Sequence, residues 1–245
     1  MQKNLTDKKY WNNLYRKIKF SSASLQHPIS KLIKKYISNG KCKTCLEIGC
    51  YPGHFIPIFG KLGYELNGID IVSDVNKGLL QWLKKQGYKV GEFIEGDLLD
   101  YQFTKDYDVV CSFGFIEHFT KWDKIIKIHA DLVNKDGILI ITTPNFRGVI
   151  QRTLHYLLDY DNYKKHNIES MNPEQWGKIL EKLGFEIIYK GYFAEFDFWV
   201  EEQKRNMFQI LGLYIIKYLA PIIKLLPKNV SYYAPYCGVV AKKIR

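Results

Sequence analysis

The chain of 245 residues has little cysteine and no pattern that would pair it. Its five cysteines, Cys42, Cys45, Cys50, Cys111 and Cys237, are odd in number and apolar in context. Cys42 and Cys45 have C-x-x-C spacing, but no second pair and no thioredoxin-like helix follow. A structural role is expected, which suits a reducing compartment. Met1-Gln2-Lys3-Asn4 opens no apolar run of signal-peptide length, so a cytoplasmic location is expected. Acidic residues are also scarce: 25 Asp and Glu stand against 36 Lys and Arg, for a net charge of +11. Such a balance suits nucleic acid, an anionic membrane surface or an anionic small molecule. The lysines are scattered, however, and no segment clusters arginine with aromatics, which argues against a nucleic-acid surface. There is no internal repeat and no low-complexity linker. With 47% apolar residues, the length supports one well-buried α/β domain over residues 1–245.

What is present is a strand, an acid and a glycine turn. Cys45-Leu46-Glu47-Ile48-Gly49-Cys50-Tyr51-Pro52-Gly53 ends an apolar run at a turn where backbone can approach a ligand closely. A dinucleotide fingerprint starting at Gly49 needs glycine at positions 51 and 54; the chain has Tyr51 and His54, so that reading fails. Further apolar runs end in acids at Asp70 and Asp97, and a fourth runs from Tyr107 to Ser112. Short apolar runs alternate with amphipathic stretches, the pattern of a parallel sheet. Helices are expected over Val75–Gln86, closed by Gly87, and over Lys124–Val133. Glu47, Asp70, Asp97 and Ser112 all fall at carboxyl ends of strands, where such sheets bind ligands.

The spacing of Glu47, Gly49 and Gly53 resembles motif I of the class I S-adenosylmethionine-dependent methyltransferases. The resemblance runs in order through Gly68-Ile69-Asp70-Ile71, Phe93-Ile94-Glu95-Gly96-Asp97, and Leu132 to Asn145. It covers roughly residues 42–145. Tyr51 departs from the family, which often has glycine there. The nearest branch resembled is that of the ubiquinone- and polysaccharide-tailoring O-methyltransferases. The resemblance implies a Rossmann-like sheet of seven strands, mostly parallel with the last strand antiparallel, flanked by helices. It implies S-adenosylmethionine held by Glu47, Gly49, Cys50, Tyr51 and Gly53, by Asp70 and Ile71, by Gly96, Asp97 and Leu98, and by Ser112 and Phe113. A carboxylate at Asp70 accepts from a ribose diol; Asp97 approaches the adenine amino group. The product is S-adenosylhomocysteine.

Around the cofactor half, residues 1–40 are expected as a helical cap carrying the Tyr10-Trp11 pair. One helix begins at His27-Pro28 and runs to Tyr36. Residues 146–176 break the alternation and are expected as a lid, helical from Phe146 to Leu158. Residues 177–245 are expected as the substrate-side half, entered by a helix from Glu174 to Leu183 and holding a strand from Phe185 and a last strand at Tyr236–Ala241. Residues 205–227 are very apolar but interrupted by Lys217, Pro221 and Lys224. They are expected as an amphipathic helix on the sheet or on a second subunit, with a membrane-surface element as the alternative.

The chemistry of methyl transfer to a hydroxyl needs alignment and a base. His118, just after the fourth strand, is the first candidate, with an ordinary pKa near ~6.5. His166 in the lid is the second, and Asn145 at the end of the fifth strand is expected to face it. His54 reads as structural or cofactor-proximal; His129 and His155 have no functional case. No Asp-Asp-Asn set follows the fourth strand, so no metal is expected. Ser112-Phe113-Gly114-Phe115 stands where DNA amino-methyltransferases carry a Pro-Pro motif and cytosine-C5 enzymes a Pro-Cys, which argues against both. The expected activity is O-methylation of a small molecule, a sugar or anionic sugar nucleotide of surface polysaccharide. The alternatives are a membrane-surface lipid-quinone methyltransferase and a catalytically silent binding subunit.

Overall fold

The computed structural model describes residues 4–201 and 203–245. Seven strands form one sheet in the order β3-β2-β1-β4-β5-β7-β6. They are β1 (Thr44–Ile48), β2 (Glu65–Asp70), β3 (Val90–Glu95), β4 (Tyr107–Phe113), β5 (Val133–Pro144), β6 (Phe185–Phe193) and β7 (Tyr236–Lys243). β1, the most buried of the first strands, pairs in parallel with β2 on one side and β4 on the other. Its run Cys45–Ile48 is wholly buried, as a strand covered on both faces must be. β7 alone runs antiparallel, inserted between β5 and β6. The Rossmann-like sheet with an antiparallel last strand is thus as expected.

Helices cover both faces. On one, α5 (Trp122–Asp131) and α8 (Pro173–Lys182) bury Ile125, Ile126, Trp176 and Leu180 with Leu46, Val110 and Val239. On the other, α2 (Pro28–Tyr36), α3 (Ile56–Lys61) and α4 (Leu80–Lys85) bury Ile33, Ile56, Phe59 and Leu83 with Cys45, Leu66 and Val240. The start of α2 follows from local chemistry: Pro28 has no N–H to lose, and His27 Nδ1 accepts from Ile29 N at 3.2 Å. The helix expected over Val75–Gln86 is present, with a π-helical first turn at Val75–Leu79 leading into α4. The expected 1–40 cap is only partly helical. α1 (Lys8–Leu14) and α2 are separated by a non-helical stretch, and residues 1–3 lie outside the described residues.

The segment after β5 holds α6 (Val149–Leu158), α7 (Tyr160–Tyr163) and a single 3-10 turn at Ile168–Ser170. α9 (Met207–Ile223) opens with a capping box between Asn206 and Gln209. It corrects the expectation of packing on the sheet. None of its residues is buried, and it leans instead on α6, where Gly212 lies against Leu158. Among the described residues, no helix is long and apolar enough to cross a membrane.

Candidate active site

The strand order reverses between β1 and β4, which opens a crevice at the carboxyl ends of the parallel strands. A cavity of about 100 Å³ lies there, lined by residues that include Gly49, Tyr51, Asp70, Ile71, Gly96, Asp97, Leu98 and Phe113. Three strand ends far apart in sequence therefore meet in one place. Gly49 sits at φ 71°, and a Cβ on it would lie 2.4 Å from the Phe115 ring. Both the turn and the close approach call for glycine here.

With Asp97, Asp70 is one of two acidic residues that line this cavity. Its Oδ2 accepts from Tyr51 N at 2.9 Å and its Oδ1 from Val72 N at 3.0 Å. Burial raises its pKa to about 6, and the backbone donors oppose that rise. The Ile71 N–H also donates to it, so the carboxylate keeps only part of its acceptor capacity for a ligand. The Asp97 Oδ1 accepts from Leu99 N at 2.9 Å, which shapes the turn that brings Gly96–Leu98 to the cavity.

Four expected cofactor residues do not line the cavity. Glu47 is 3% exposed and accepts from the Ile56 N–H at the start of α3, with burial raising its pKa well above the ordinary range. Cys50 is buried against Gly68. Gly53, at φ 84°, makes room for Leu79, whose Cδ1 would lie 2.3 Å from a Cβ. The Ser112 hydroxyl is buried without a partner.

The N-terminal segment closes the cavity, and sequence reading identified only Trp11 there. Asn4, Thr6 and Tyr15 also line it. Leu5 N donates to His118 O at 2.9 Å, and Asn4 bridges to Phe119. Trp11 packs edge-on against His118, its ring centroid 5.0 Å away, and donates from Nε1 to Thr6 Oγ1 at 3.1 Å. No local pattern marks Asn4 or Thr6; only the long-range bridge brings them in.

A second cavity, about 240 Å³, adjoins the first and shares Trp11, Tyr15, Phe113, Gly114 and His118 with it. Its walls are aromatic (Phe55, Trp199, Tyr236), and its polar groups include Glu117, His118, His166 and Glu201. The His118 and His166 rings lie 4.8 Å apart. Burial lowers the pKa of His118 to about 4 and that of His166 well below the ordinary range. Burial also raises Glu117 to about 8. At neutral pH the pair is therefore uncharged and the carboxyl largely protonated.

Asn145 is not brought to this cavity. It is fully buried, donates from Nδ2 to Ser231 O and Ala234 O at 2.9 Å each, and accepts from Gly148 N at 3.1 Å. Its hydrogen-bonding capacity clips the turn after β5 to the entry of β7. His54 Nδ1 lies 3.0 Å from Ser21 O and lines neither cavity. His129 and His155 are buried in helices; His129 Nδ1 lies 2.8 Å from Ile125 O, and His155 lies 3.4 Å from Asp159.

Known proteins share this frame. Residues 16–190 match the family model of a methyltransferase domain. Over 111 residues the chain is 29% identical to the ribosomal protein L11 methyltransferase of Campylobacter fetus, a match covering 45% of this chain and 38% of that protein. A SAM-dependent methyltransferase from Archaeoglobus fulgidus superposes with a TM-score of 0.58 at 22% identity, covering 88% of this chain and 93% of that one. The N-methyltransferase NodS of Bradyrhizobium japonicum, in complex with S-adenosyl-L-homocysteine, superposes with a TM-score of 0.56 at 13% identity, covering 99% and 95%. With the family model spanning well over half of its length, this chain belongs to the methyltransferase-domain family.

Proposed function

We propose that this protein transfers a methyl group from S-adenosylmethionine to an oxygen of a small molecule. The observation that carries this reading is the pair of adjoining cavities: one bounded by Gly49, Asp70 and Asp97, the other by Glu117, His118 and His166, with His118 on the shared wall. The first fits the cofactor. Asp70 keeps part of its acceptor capacity for the ribose diol, and the Gly96–Leu98 turn would lie beside the adenine. When bound, S-adenosylmethionine supplies an electrophilic methyl on a positively charged sulfur. The chain's own part is alignment. Trp11 and Tyr15 cover the site from the N-terminal side. His118, on the wall shared by the two cavities, faces the acceptor side of the site.

The aromatic walls favour an acceptor that stacks, such as a sugar face or an aromatic ring. No Lys or Arg lines the second cavity among the described residues, which favours an uncharged acceptor over the diphosphate of a sugar nucleotide. A second reading, a lipid-soluble acceptor met at a membrane surface, is favoured by α9. Met207, Leu211, Tyr214, Tyr218 and Ile222 present one apolar stripe to solvent, each at least 60% exposed, flanked by Lys217 and Lys224.

Calorimetric titration with S-adenosylhomocysteine and with NAD tests the cofactor; the first should bind and the second should not. His118→Ala should keep S-adenosylhomocysteine affinity within about threefold yet lose at least about 100-fold in turnover. Unchanged turnover would remove His118 from the chemistry. Co-sedimentation with anionic vesicles separates the acceptor readings: binding lost in Leu211→Asp/Tyr218→Asp supports the lipid reading, and no binding by the unaltered protein eliminates it.

A further inference from the structure

The second cavity brings together three side chains that can each present a lone pair, Glu117 on giving up the proton that burial favours. One oxygen of Glu117, Oε2, is buried with no hydrogen-bond partner, on a residue 1% exposed. His118 Nδ1 lies 3.0 Å from Lys165 O, and His166 Nδ1 lies 2.8 Å from Asn162 O. A carbonyl oxygen only accepts, so each Nδ1 carries the proton and each Nε2 carries a lone pair. One ligand atom from each of Glu117, His118 and His166 lies within 4.8 Å of the others. This is the only such group of three among the described residues.

We propose that Glu117, His118 and His166 together bind one divalent transition-metal ion on the acceptor side of the site. Two imidazoles with one carboxylate suit Mn²⁺, Fe²⁺ or Zn²⁺ better than Mg²⁺ or Ca²⁺, which take mostly oxygen. Both histidines are already oriented by an Nδ1–H donated to a backbone carbonyl, the arrangement that holds metal-binding imidazoles in place. Ligand atoms about 2.1 Å from a common ion lie at most about 4.2 Å apart, so side chains already within 4.8 Å of one another need close by no more than about 0.6 Å on binding. Three protein ligands would leave at least one coordination position open, and an acceptor hydroxyl in the cavity would take it. The ion would draw charge from that oxygen and ease loss of its proton to water. The oxygen then forms its bond to the methyl carbon as the carbon–sulfur bond breaks, leaving a neutral thioether. Only this last role rests on the methyltransferase reading; the binding of the ion does not.

The test uses the full chain, stripped with a chelator, dialysed and titrated with MnCl₂, with free Mn²⁺ read by electron paramagnetic resonance. S-adenosylhomocysteine affinity is measured calorimetrically on the same samples. One ion per chain is expected. Glu117→Gln and His166→Ala should each weaken it by about 100-fold or more while leaving S-adenosylhomocysteine affinity within about threefold. No stoichiometric ion, or equal affinity in both variants, overturns the proposal. If Glu117→Gln does not fold, His166→Ala decides alone, because His166 lies outside the sheet, between α7 and the 3-10 turn. S-adenosylhomocysteine binding without an ion leaves the methyltransferase reading standing and sinks this one. An ion without S-adenosylhomocysteine binding does the reverse.

Discussion

Lowering the pH from 8 to 5 should weaken S-adenosylhomocysteine binding through Asp70. The carboxyl lines the first cavity, and burial raises its pKa to about 6 in the free protein. The N–H groups of Tyr51, Val72 and Ile71 already donate to the carboxylate, so a ribose diol needs the acceptor sites that are left. Protonation converts one of those sites into a donor. The ionised form should therefore bind the diol and the protonated form should not. The sign follows: affinity is full above the free-state pKa and falls as pH drops through it. At pH 5 about one molecule in eleven is ionised, so affinity should fall about tenfold from its plateau. Near pH 6 each binding event should release about half a proton. Calorimetry in two buffers of different ionisation enthalpy reads that proton directly. Asp70→Asn should bind more weakly at all pH values and show neither the slope nor the proton release. A flat affinity between pH 8 and 5, or the same slope in Asp70→Asn, would refute the assignment of Asp70 to the diol.

The same carboxyl has a consequence for stability. Its folded pKa lies above the ordinary value near ~3.9, so burial of its charge opposes folding above pH 6, and that opposition is relieved as pH falls from about 6 to about 4. Asp70→Asn should flatten this part of the curve of Tm against pH for the free protein. Gly49→Ala should destabilise by about 2 kcal/mol or more, from a positive φ and a Cβ 2.4 Å from the Phe115 ring, read as urea midpoint. Asn145→Ala should cost about 2 to 4 kcal/mol because it orphans Ser231 O, Ala234 O and Gly148 N. Its turnover per folded molecule should stay within about threefold. A large loss of turnover at unchanged stability would return Asn145 to the chemistry.

Sequence alone determined the sheet. Buried parallel strands must be continuous apolar runs, and the crossovers between them must be amphipathic. The strands at Cys45–Ile48 and Tyr107–Ser112 were therefore legible from their own side chains, and so were the runs that lead to the acids Asp70 and Asp97, whereas Val133, expected to end a helix, already belongs to β5. Local chemistry likewise settled where α2 and α8 begin, since Pro28 and Pro173 suit a first turn. Tertiary structure decided what faces what. Glu47 and Asp70 both sit at strand ends, yet one turns back to the start of α3 and the other into the cavity. His166 was expected in the lid with Asn145 facing it from the end of the fifth strand, but two carbonyls near β7 claim Asn145. α9 is apolar enough for a core, but only the packing shows that its large side chains remain outside. Residues 117, 118 and 166 are separated by a strand, three helices and a turn of lid. Nothing in the local sequence links them, because side-chain convergence depends on long-range packing and not on periodicity.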